Sequence, residues 1–501
     1  MPESTLIAAY RHLWTSDDWR DREALASDDL TLSYAELQHR VHTLAGALVA
    51  AGLQPGEVVA LSMARTGDSV CVLLAILFAG GSVCPLEPRL SAEEVGARLT
   101  RIGCRRAVTD TTLVHQFAHM TDIDVVDRIK LNGTDGPGAP EDRVGPDTPA
   151  LTLFTSGSTG TPKAVQLTHR ALANNAFGLI RHTGLTRSDR LLHVMPIYHT
   201  NGINNQILAP LAAGARIAFA PRFRAADMPE LMARYQPTLV SGVPTMYSRM
   251  LAYSFDDRAT AHLRMIRCGS APITPDLHRR IEAALGAPVV VSYGLSEATC
   301  TSTMNPPDDR RIGSVGTTLV NQTVALLKTD ADERVGAGQQ GEIAIAGDNL
   351  MTGYLDENGR PDASVIASGW LRTGDLGRFD DDGYLFITGR IKDVIIRGGE
   401  NIPPGMIEDV VTAHAGVEAC CVVGQPDEDL GEVPVMFVVA AGDQSPSAQD
   451  LIDRVETQLS RAHRPAAVWF VDSLPENAVG KVDRKTLARR VVEQSEGAAT
   501  S

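Results

Sequence analysis

The sequence predicts an α/β protein with a large N-terminal domain built on mostly parallel sheets and a small α+β C-terminal domain. Three observations support this fold class. The chain has 501 residues, which is more than one compact domain usually holds. Short apolar runs alternate with amphipathic helices, and runs such as 289–291 are apolar on both faces, as in parallel strands covered by helices. Beyond residue 342 the pattern changes to strands and turns.

The first elements can be assigned in order from local signals. Ser33 and Glu36 fit a capping box, in which a hydroxyl and a carboxylate satisfy the free amides of a helix start. Apolar residues at helical spacing follow as far as residue 48, and Gly52 ends this helix. Further along, four apolar runs are predicted to be strands: 216–220, 238–241, 265–268 and 289–292.

The second half of the chain predicts a separate compact unit. Strands are expected at 342–346 and 384–388, before the boundary. The domain boundary is placed at Arg390 to Lys392, which divides the chain into 1–390 and 391–501. Beyond it we expect helices and strands in the order 404–414, 419–423, 435–440 and 448–459. The tail after about residue 492 is rich in Glu, Gly, Ala and Ser and is predicted to be disordered.

Composition excludes several classes of protein. The formal net charge is −15 and the basic residues are scattered, which argues against a nucleic-acid surface. Seven cysteines without a C-x-x-C pair suggest neither a disulfide framework nor a zinc site, so a cytoplasmic location is expected. The N-terminus lacks the features of a signal peptide, and the apolar run 70–79 is too short to span a bilayer. We predict that this run is a buried helix.

The strongest local motif lies at 155–163. It combines hydroxyl residues, glycines and a lysine directly after an apolar run at 150–154, and a helix is expected at 172–181. Glycines let backbone amides converge on an anion, and the hydroxyls and ammonium add donors. The motif predicts a phosphate-binding loop, although it is not a P-loop, and the alternative is a flexible linker. The residues concerned are Thr155, Ser156, Gly157, Ser158, Thr159, Gly160 and Lys163.

Six further segments share an abundance of polar residues and glycines. In chain order they read MPIYHTNG at 195–202, GSAP at 269–272, YGLSE at 293–297, WLRTGD at 370–375, GRIKD with RGGENI at 389–402, and LPENAVGK at 474–481. With the 155–163 loop, they resemble the motifs of the adenylate-forming superfamily. This family includes acyl- and aryl-CoA synthetases, firefly luciferase and the adenylation domains of peptide synthetases. The resemblance covers essentially the whole chain and implies a C-terminal domain that acts as a mobile lid.

The resemblance implies a nucleotide site. An aromatic residue stacks near adenine, a hydroxyl contacts phosphate and a glutamate helps to hold Mg²⁺, which prefers oxygen ligands. Those roles fall on Tyr293, Ser296 and Glu297, while Asp375 and Arg390 are the expected ribose ligands. The remaining nucleotide-binding candidates of these segments are Gly269, Ser270, Ala271, Pro272, Gly294 and Leu295.

The resemblance also implies catalytic and acceptor residues. Lys481 is expected to reach both the acid carboxylate and the α-phosphate, since two anions must meet there. Lys392 is the expected hinge, and Gly398 and Gly399 match the passage of a pantetheine arm. His199 matches the wall between the acid and nucleotide sites. The acid pocket would also contain Asn201 and Asn205, which indicate a polar substrate group or are only helix-surface residues.

The function implied is that of a carboxylic acid–CoA ligase. ATP and the acid would form an acyl-adenylate and pyrophosphate, and the CoA thiol would then take the acyl group and release AMP, with Mg²⁺ as cofactor. Three alternatives stay open: loading of a carrier-protein pantetheine, luciferase-like oxygenation of the adenylate, and a catalytically silent homologue. The G-x-G-x-x-G pattern at 336–341 is rejected as a dinucleotide site because a strand follows it rather than a helix. The identity of the acid cannot be read from the sequence.

Overall fold

The fold is seen in a computed structural model that describes residues 4–133, 143–155, 162–442, 446–476 and 482–499. These residues form four sheets. Two are the large mixed sheets of an α/β N-terminal domain, the third is a small antiparallel sheet, and the fourth belongs to a smaller C-terminal domain. The predicted fold class is confirmed.

The first sheet has nine strands and is parallel through its centre. All four strands predicted between residues 216 and 292 belong to it, and Leu239 pairs with both Leu191 and Met265. Each central strand consists of a few buried residues followed by a helix, which is the pattern that a parallel sheet requires. In spatial order the strands are Thr317–Thr318, Thr303–Met304, Val289–Tyr293, Met265–Cys268, Leu239–Gly242, Arg190–His193, Arg216–Phe219, Glu23–Ala26 and Thr31–Ser33.

The second sheet has eight strands, five of them parallel. Its antiparallel edge adds a strand between the 155–163 loop and the helix predicted at 172–181. Lys163–Thr168 returns as a strand paired with Pro149–Thr155. The helix follows as His169–Thr183. In order the strands are Pro361–Asp362, Gly353–Leu355, Lys163–Thr168, Pro149–Thr155, Ser82–Pro85, Val58–Ser62, Arg106–Thr109 and Asp124–Asp127.

The main core lies between these two sheets, where helices pack against strands of both. Tyr34–Ala50 begins at the predicted capping box, with Ser33 and Glu36 each bonded to the other's backbone amide. The apolar run at 70–79 lies in Gly67–Phe78, whose residues are buried almost throughout. The other α-helices described in the N-terminal domain are Leu6–Trp14, Ala92–Arg101, His169–Thr183, Ala209–Ala212, Met228–Tyr235, Pro244–Met250, Asp257–Thr260 and Pro275–Leu285, with a π-helix at Asn201–Leu208.

The third sheet is antiparallel and leads into the C-terminal domain. Its strands are Thr323–Leu327, Gly341–Ala346, Trp370–Phe379, Ile366–Ala367 and Leu385–Arg390. A single turn, Ile391–Asp393, connects the last of them to the fourth sheet. The fourth sheet consists of Glu400–Ile402, Ile395–Arg397, Gly431–Ala440, Val417–Asp427 and Ala467–Phe470.

The C-terminal domain has its own cores on the two faces of the fourth sheet. Pro404–Thr412 and Ala448–Gln458 cover one face, and Arg484–Ala499 covers the other. The last helix is Arg484–Ala499, and the fully buried Leu487 and Val491 anchor its first half on the sheet. Both anchors precede residue 492, so the disorder expected of the tail after about that residue stays a prediction. None of the helices described is both long and apolar enough to cross a membrane.

Candidate active site

The best-defined part of the site is a buried carboxylate with two donors. Strand pairing places Asp375 opposite Arg390, and Arg390 Nε lies 2.8 Å from Asp375 Oδ1. The Tyr293 hydroxyl donates to Asp375 Oδ2 at 2.8 Å. Burial and the charge of Asp375 raise the pKa of Tyr293, so the phenol remains a donor. Each carboxylate oxygen has a second lone pair, so Asp375 can also accept from vicinal hydroxyls.

Two glycine-containing loops continue from neighbouring parallel strands of the first sheet. Gly269 follows Met265–Cys268, and a Cβ there would lie 2.7 Å from Ser292 Oγ. Ser270, next in the chain, has a left-handed φ of 68°. Gly294 follows Val289–Tyr293, and a Cβ there would lie 1.8 Å from the Cys300 carbonyl. α/β proteins bind ligands at the carboxyl ends of their parallel strands. The two glycines permit the close approach of these loops to neighbouring parts of the chain, because a side chain at either position would clash there.

A second hydrogen-bonded carboxylate lies beside the mouth of the phosphate-loop hairpin. Thr155 pairs with Lys163 across the hairpin, and Lys163 Nζ lies 4.6 Å from the centre of the Tyr354 ring. The Tyr354 hydroxyl donates to Glu297 Oε1 at 2.8 Å, and burial with the Glu297 charge raises the pKa of Tyr354. The structure thus joins Glu297 to the hairpin. Five predicted loop residues lie outside the described part of the chain: Ser156, Gly157, Ser158, Thr159 and Gly160.

The donor set at Glu297 fits Mg²⁺ bound together with a nucleotide. No group of three or more His, Cys, Asp or Glu side chains that could hold a metal occurs among the described residues. Mg²⁺ commonly takes one or two protein carboxylates and completes its shell with phosphate and water oxygens. Glu297 is half-buried and can supply such a carboxylate oxygen.

The predicted acid-pocket residues lie around the π-helix Asn201–Leu208. Asn205 is 2% exposed, and its Nδ2 lies 2.8 Å from Thr301 Oγ1, 3.1 Å from Cys300 Sγ and 3.4 Å from Asn201 Oδ1. The alternative that these asparagines are helix-surface residues is therefore wrong for Asn205. Such π-helical turns occur frequently at functional sites.

His199 precedes this helix and is half-buried, with its ring 4.8 Å from that of Tyr198. The segment before it is held by a residue that sequence reasoning missed. Arg65 donates to the carbonyls of His193, Met195 and Ala220 at 2.8 to 2.9 Å. These bonds fix the chain on the N-terminal side of His199.

His193 connects Arg65 to the π-helix. Its Nδ1 lies 2.9 Å from Arg65 Nη2, and its Nε2 lies 2.7 Å from the Gly202 carbonyl. Since arginine can only donate, these contacts place the proton of a neutral imidazole on Nε2. Burial, together with the Arg65 charge, lowers the pKa of His193 to about 3. The ring is thus a neutral bridge at neutral pH.

Two other residues near the site were missed for different reasons. Tyr354 lies on a strand 57 positions from Glu297 in the chain, and no local pattern connects them. Arg267 did have a signal, because it is the one charged residue in the buried strand Met265–Cys268. Its guanidinium donates to the Asn205 carbonyl at 3.3 Å.

The predicted acceptor-side residues lie in the C-terminal domain. Lys392 is exposed in the turn Ile391–Asp393. Gly398 and Gly399 form the turn between two strands with left-handed φ values of 56° and 84°. The Gly398 amide donates to the Leu430 carbonyl of the same domain. The structure places these glycines at an exposed turn.

Lys481 lies outside the described residues, but its flanks are defined. Glu476 and Val482, on either side of 477–481, pair as an antiparallel bridge. Glu476 Oε2 lies 3.1 Å from Arg249 Nη2 of the N-terminal domain. The described part of this segment therefore contacts the large domain.

Known proteins resemble this chain over nearly its full length. The model of the AMP-binding enzyme family matches residues 14–355, and that of the AMP-binding enzyme C-terminal domain matches residues 406–481. An oxalate–CoA ligase of Arabidopsis thaliana is 33% identical, over 95% of this chain and 96% of that protein. An indoleacetate–CoA ligase of Aromatoleum aromaticum is also 33% identical, over 95% and 98%.

Solved structures agree with this family. ATP-bound MatB from Rhodopseudomonas palustris superposes with a TM-score of 0.89 at 31% identity, covering 97% of this chain and 99% of that one. The o-succinylbenzoate CoA synthetase from Bacillus subtilis, in complex with ATP and a magnesium ion, gives 0.79 at 27% identity, covering 97% and 99%. The expected use of ATP, Mg²⁺ and CoA is confirmed by these relatives. The chain belongs to the AMP-binding enzyme family, and the prediction of an ATP-dependent acid–CoA ligase is confirmed.

Proposed function

We propose that this site carries out a two-step ligation, first forming an acyl-adenylate and then transferring the acyl group to a thiol. The observation that carries this proposal is the Tyr293–Asp375–Arg390 cluster beside the Glu297–Tyr354 pair and the Lys163 hairpin. One carboxylate is available for ribose hydroxyls, and the other lies where a phosphate-bound cation is needed. Such an arrangement fits a nucleoside triphosphate better than either element alone.

In the first step the acid carboxylate attacks the α-phosphorus of ATP, and pyrophosphate leaves. Asp375 and Arg390 hold the ribose, and the ring of Tyr293 stacks near the adenine. Lys163 and the 155–163 hairpin accommodate the departing pyrophosphate. Lys481 would bring the two anions together, because they repel one another without a cation between them. Mg²⁺, held by Glu297, would supply a Lewis acid that offsets phosphate charge.

The acid would lie against the π-helix, with His199 between it and the nucleotide. Gly202 lets the start of this helix pack against the 195–199 segment, because a Cβ there would lie 1.9 Å from the Pro196 carbonyl oxygen. Asn201 and Asn205 provide polar groups on the pocket side. Similarity to the curated relatives does not single out one acid as the substrate, because proteins named for oxalate and for indoleacetate are equally similar to this chain.

In the second step the C-terminal domain rotates about Lys392 and withdraws Lys481. The Gly398–Gly399 turn then lies along the pantetheine arm, whose thiol attacks the acyl-adenylate carbonyl and expels AMP. The two-domain division at residues 390 and 391 belongs to this proposal. It is supported by the single turn that connects the third and fourth sheets. One cleft can serve both steps only if the lid occupies two positions.

ATP–pyrophosphate exchange, screened over a panel of carboxylic acids, tests the first step. Exchange that depends on one class of acid is expected, and no exchange with any acid would favour a silent homologue. The second step is tested with the best acid by comparing CoA with a pantetheinylated carrier protein. We expect thioester formation with CoA alone. A requirement for the carrier would change the acceptor but not the adenylation step.

We also propose a cytoplasmic location. All seven cysteines have free thiols, and five of them are buried. Thiols of this kind are typical of proteins from reducing compartments. Fractionation of cells that produce the protein tests this placement, and recovery from an oxidising compartment would contradict it.

A further inference from the structure

Arg267 is a buried cation without a carboxylate partner among the residues that the structure describes. It is 3% exposed and lies on the strand Met265–Cys268, whose other three side chains are apolar. Among the described residues, its guanidinium makes one hydrogen bond, from Nη1 to the Asn205 carbonyl at 3.3 Å, and its Nε has no partner. Its electrostatic neighbours are Cys300 and Tyr247, which are neutral at physiological pH.

The charge persists despite its surroundings. Burial lowers the pKa of Arg267 to about 10, which leaves the guanidinium protonated at neutral pH. Burying a charge without a counterion is unfavourable, and buried charges are normally paired or fully hydrogen-bonded. The site therefore favours an anion as the missing partner.

Arg65 shows how the same chain treats an arginine with a structural role. All three of its guanidinium nitrogens donate to backbone carbonyls or to His193, at 2.8 to 2.9 Å. Arg65 also stacks 4.0 Å above the Phe219 ring. Arg267 has no comparable set of partners, so a structural role alone does not account for its position.

The surroundings of Arg267 connect it to the acid pocket. The carbonyl that it contacts belongs to Asn205, one of the pocket asparagines, on the π-helix. Asn205 Oδ1 is buried and also has no hydrogen-bond partner in the described part of the chain. Two residues beyond Arg267, Gly269 begins the loop expected beside the nucleotide. Arg267 thus lies between the acid-pocket helix and the nucleotide loop.

We propose that Arg267 is a specificity-determining residue that binds a second carboxylate on the acid, so that the substrates are dicarboxylic acids. One carboxylate would react with ATP, and the other would pair with the buried guanidinium. This inference rests on the proposed function, since it names the acid class for the same pocket. A monocarboxylic acid of equal length would leave the cation unpaired.

The test compares acids of equal length, butanoate with succinate and pentanoate with glutarate, in CoA-thioester formation. We expect the wild-type chain to prefer the dicarboxylic acid of at least one pair. Arg267→Met should lower kcat/KM for that diacid by about 30-fold or more, as expected for a broken buried charge pair, and leave the monoacid unchanged or improved. Arg267→Lys should retain part of the preference. The matched control is Arg280→Met, which removes a 60% exposed arginine and should change neither acid.

Equal losses on both acids of a pair in Arg267→Met, or a wild-type preference for the monoacids, would overturn the inference. A calorimetric titration separates the inference about Arg267 from the proposed function. The same acids are titrated into enzyme saturated with a non-hydrolysable ATP analogue. If no acid is converted but a diacid binds in an Arg267-dependent manner, the proposed function fails and the inference stands. If neither diacid binds nor reacts better than its monoacid, the inference fails whatever the outcome for catalysis.

Discussion

Replacing Asp375 with asparagine should remove ribose recognition without changing the shape of the site. In the wild-type chain Oδ1 accepts from Arg390 and Oδ2 from Tyr293, both at 2.8 Å. An amide has only one acceptor atom, so one donor would face an NH₂ group. That mismatch costs about 1–3 kcal/mol and is present with or without nucleotide, so it should lower the Tm.

The loss in nucleotide binding is a separate effect. A hydrogen bond from a ribose hydroxyl to an ionised carboxylate is worth about 1.5–3 kcal/mol, which is roughly 10- to 100-fold in kcat/KM for ATP. ATP–pyrophosphate exchange with ATP and with 2′-deoxyATP isolates this term. The wild type should prefer ATP by about this factor. Asp375→Asn should use both nucleotides almost equally, at the lower rate.

Asp380→Asn is the matched control. Asp380 is also paired with an arginine, Arg311, but it lies five positions further along the chain, roughly 16 Å if extended. This variant should keep the wild-type ratio between the two nucleotides. The reasoning is refuted if Asp375→Asn retains the wild-type preference for ATP over 2′-deoxyATP.

Three further predictions concern other parts of the site. Tyr354→Phe removes the hydroxyl that donates to Glu297. Because the lost hydrogen bond is worth about 1 kcal/mol, the Mg²⁺ concentration needed for half-maximal ATP–pyrophosphate exchange should rise by about 3- to 10-fold. An unchanged Mg²⁺ titration would contradict this. Arg249→Glu should lower the adenylation rate by no more than about 5-fold, because the ion pair between Arg249 and Glu476 is solvent-exposed. Adding Glu476→Arg to this variant should restore the rate. A double variant no faster than Arg249→Glu would contradict the contact. The pKa of His193 is lower in the folded chain than in the unfolded chain, so the free energy of unfolding should fall as the pH drops below about 6.5, by roughly 2 kcal/mol at pH 5. In His193→Gln the free energy of unfolding should depend less on pH. An unchanged pH dependence in this variant would argue against the buried neutral ring.

The parts of the fold and site that the sequence predicted depend on local patterns. The apolar strands between residues 216 and 292 were predicted within one or two residues, because parallel strands buried on both faces leave a continuous apolar run. The resemblance to the adenylate-forming superfamily implied that Asp375 and Arg390 are ribose ligands. The structure pairs the two residues across neighbouring strands, and their binding of ribose stays a proposal. In these cases the information lies within a few neighbouring residues.

The parts that were missed depend on contacts between distant segments. Tyr354 reaches Glu297 because the strand Gly353–Leu355 pairs with Lys163–Thr168, far away in the chain. Lys163–Thr168 was not predicted as a strand, and it forms the phosphate-loop hairpin by pairing with Pro149–Thr155. The burial of Leu487 and Val491 likewise depends on strands of the C-terminal sheet that lie far away in the chain. Single-sequence patterns do not encode such partners.

The proposed mechanism depends on a cation, delivered by the C-terminal domain, that allows two repelling anions to react. Lys481→Ala tests it most directly, with the two half-reactions measured separately on the same preparation. We predict that ATP–pyrophosphate exchange is abolished, while thioester formation from CoA and a supplied acyl-adenylate continues at close to the wild-type rate. Undiminished exchange in Lys481→Ala would contradict the account.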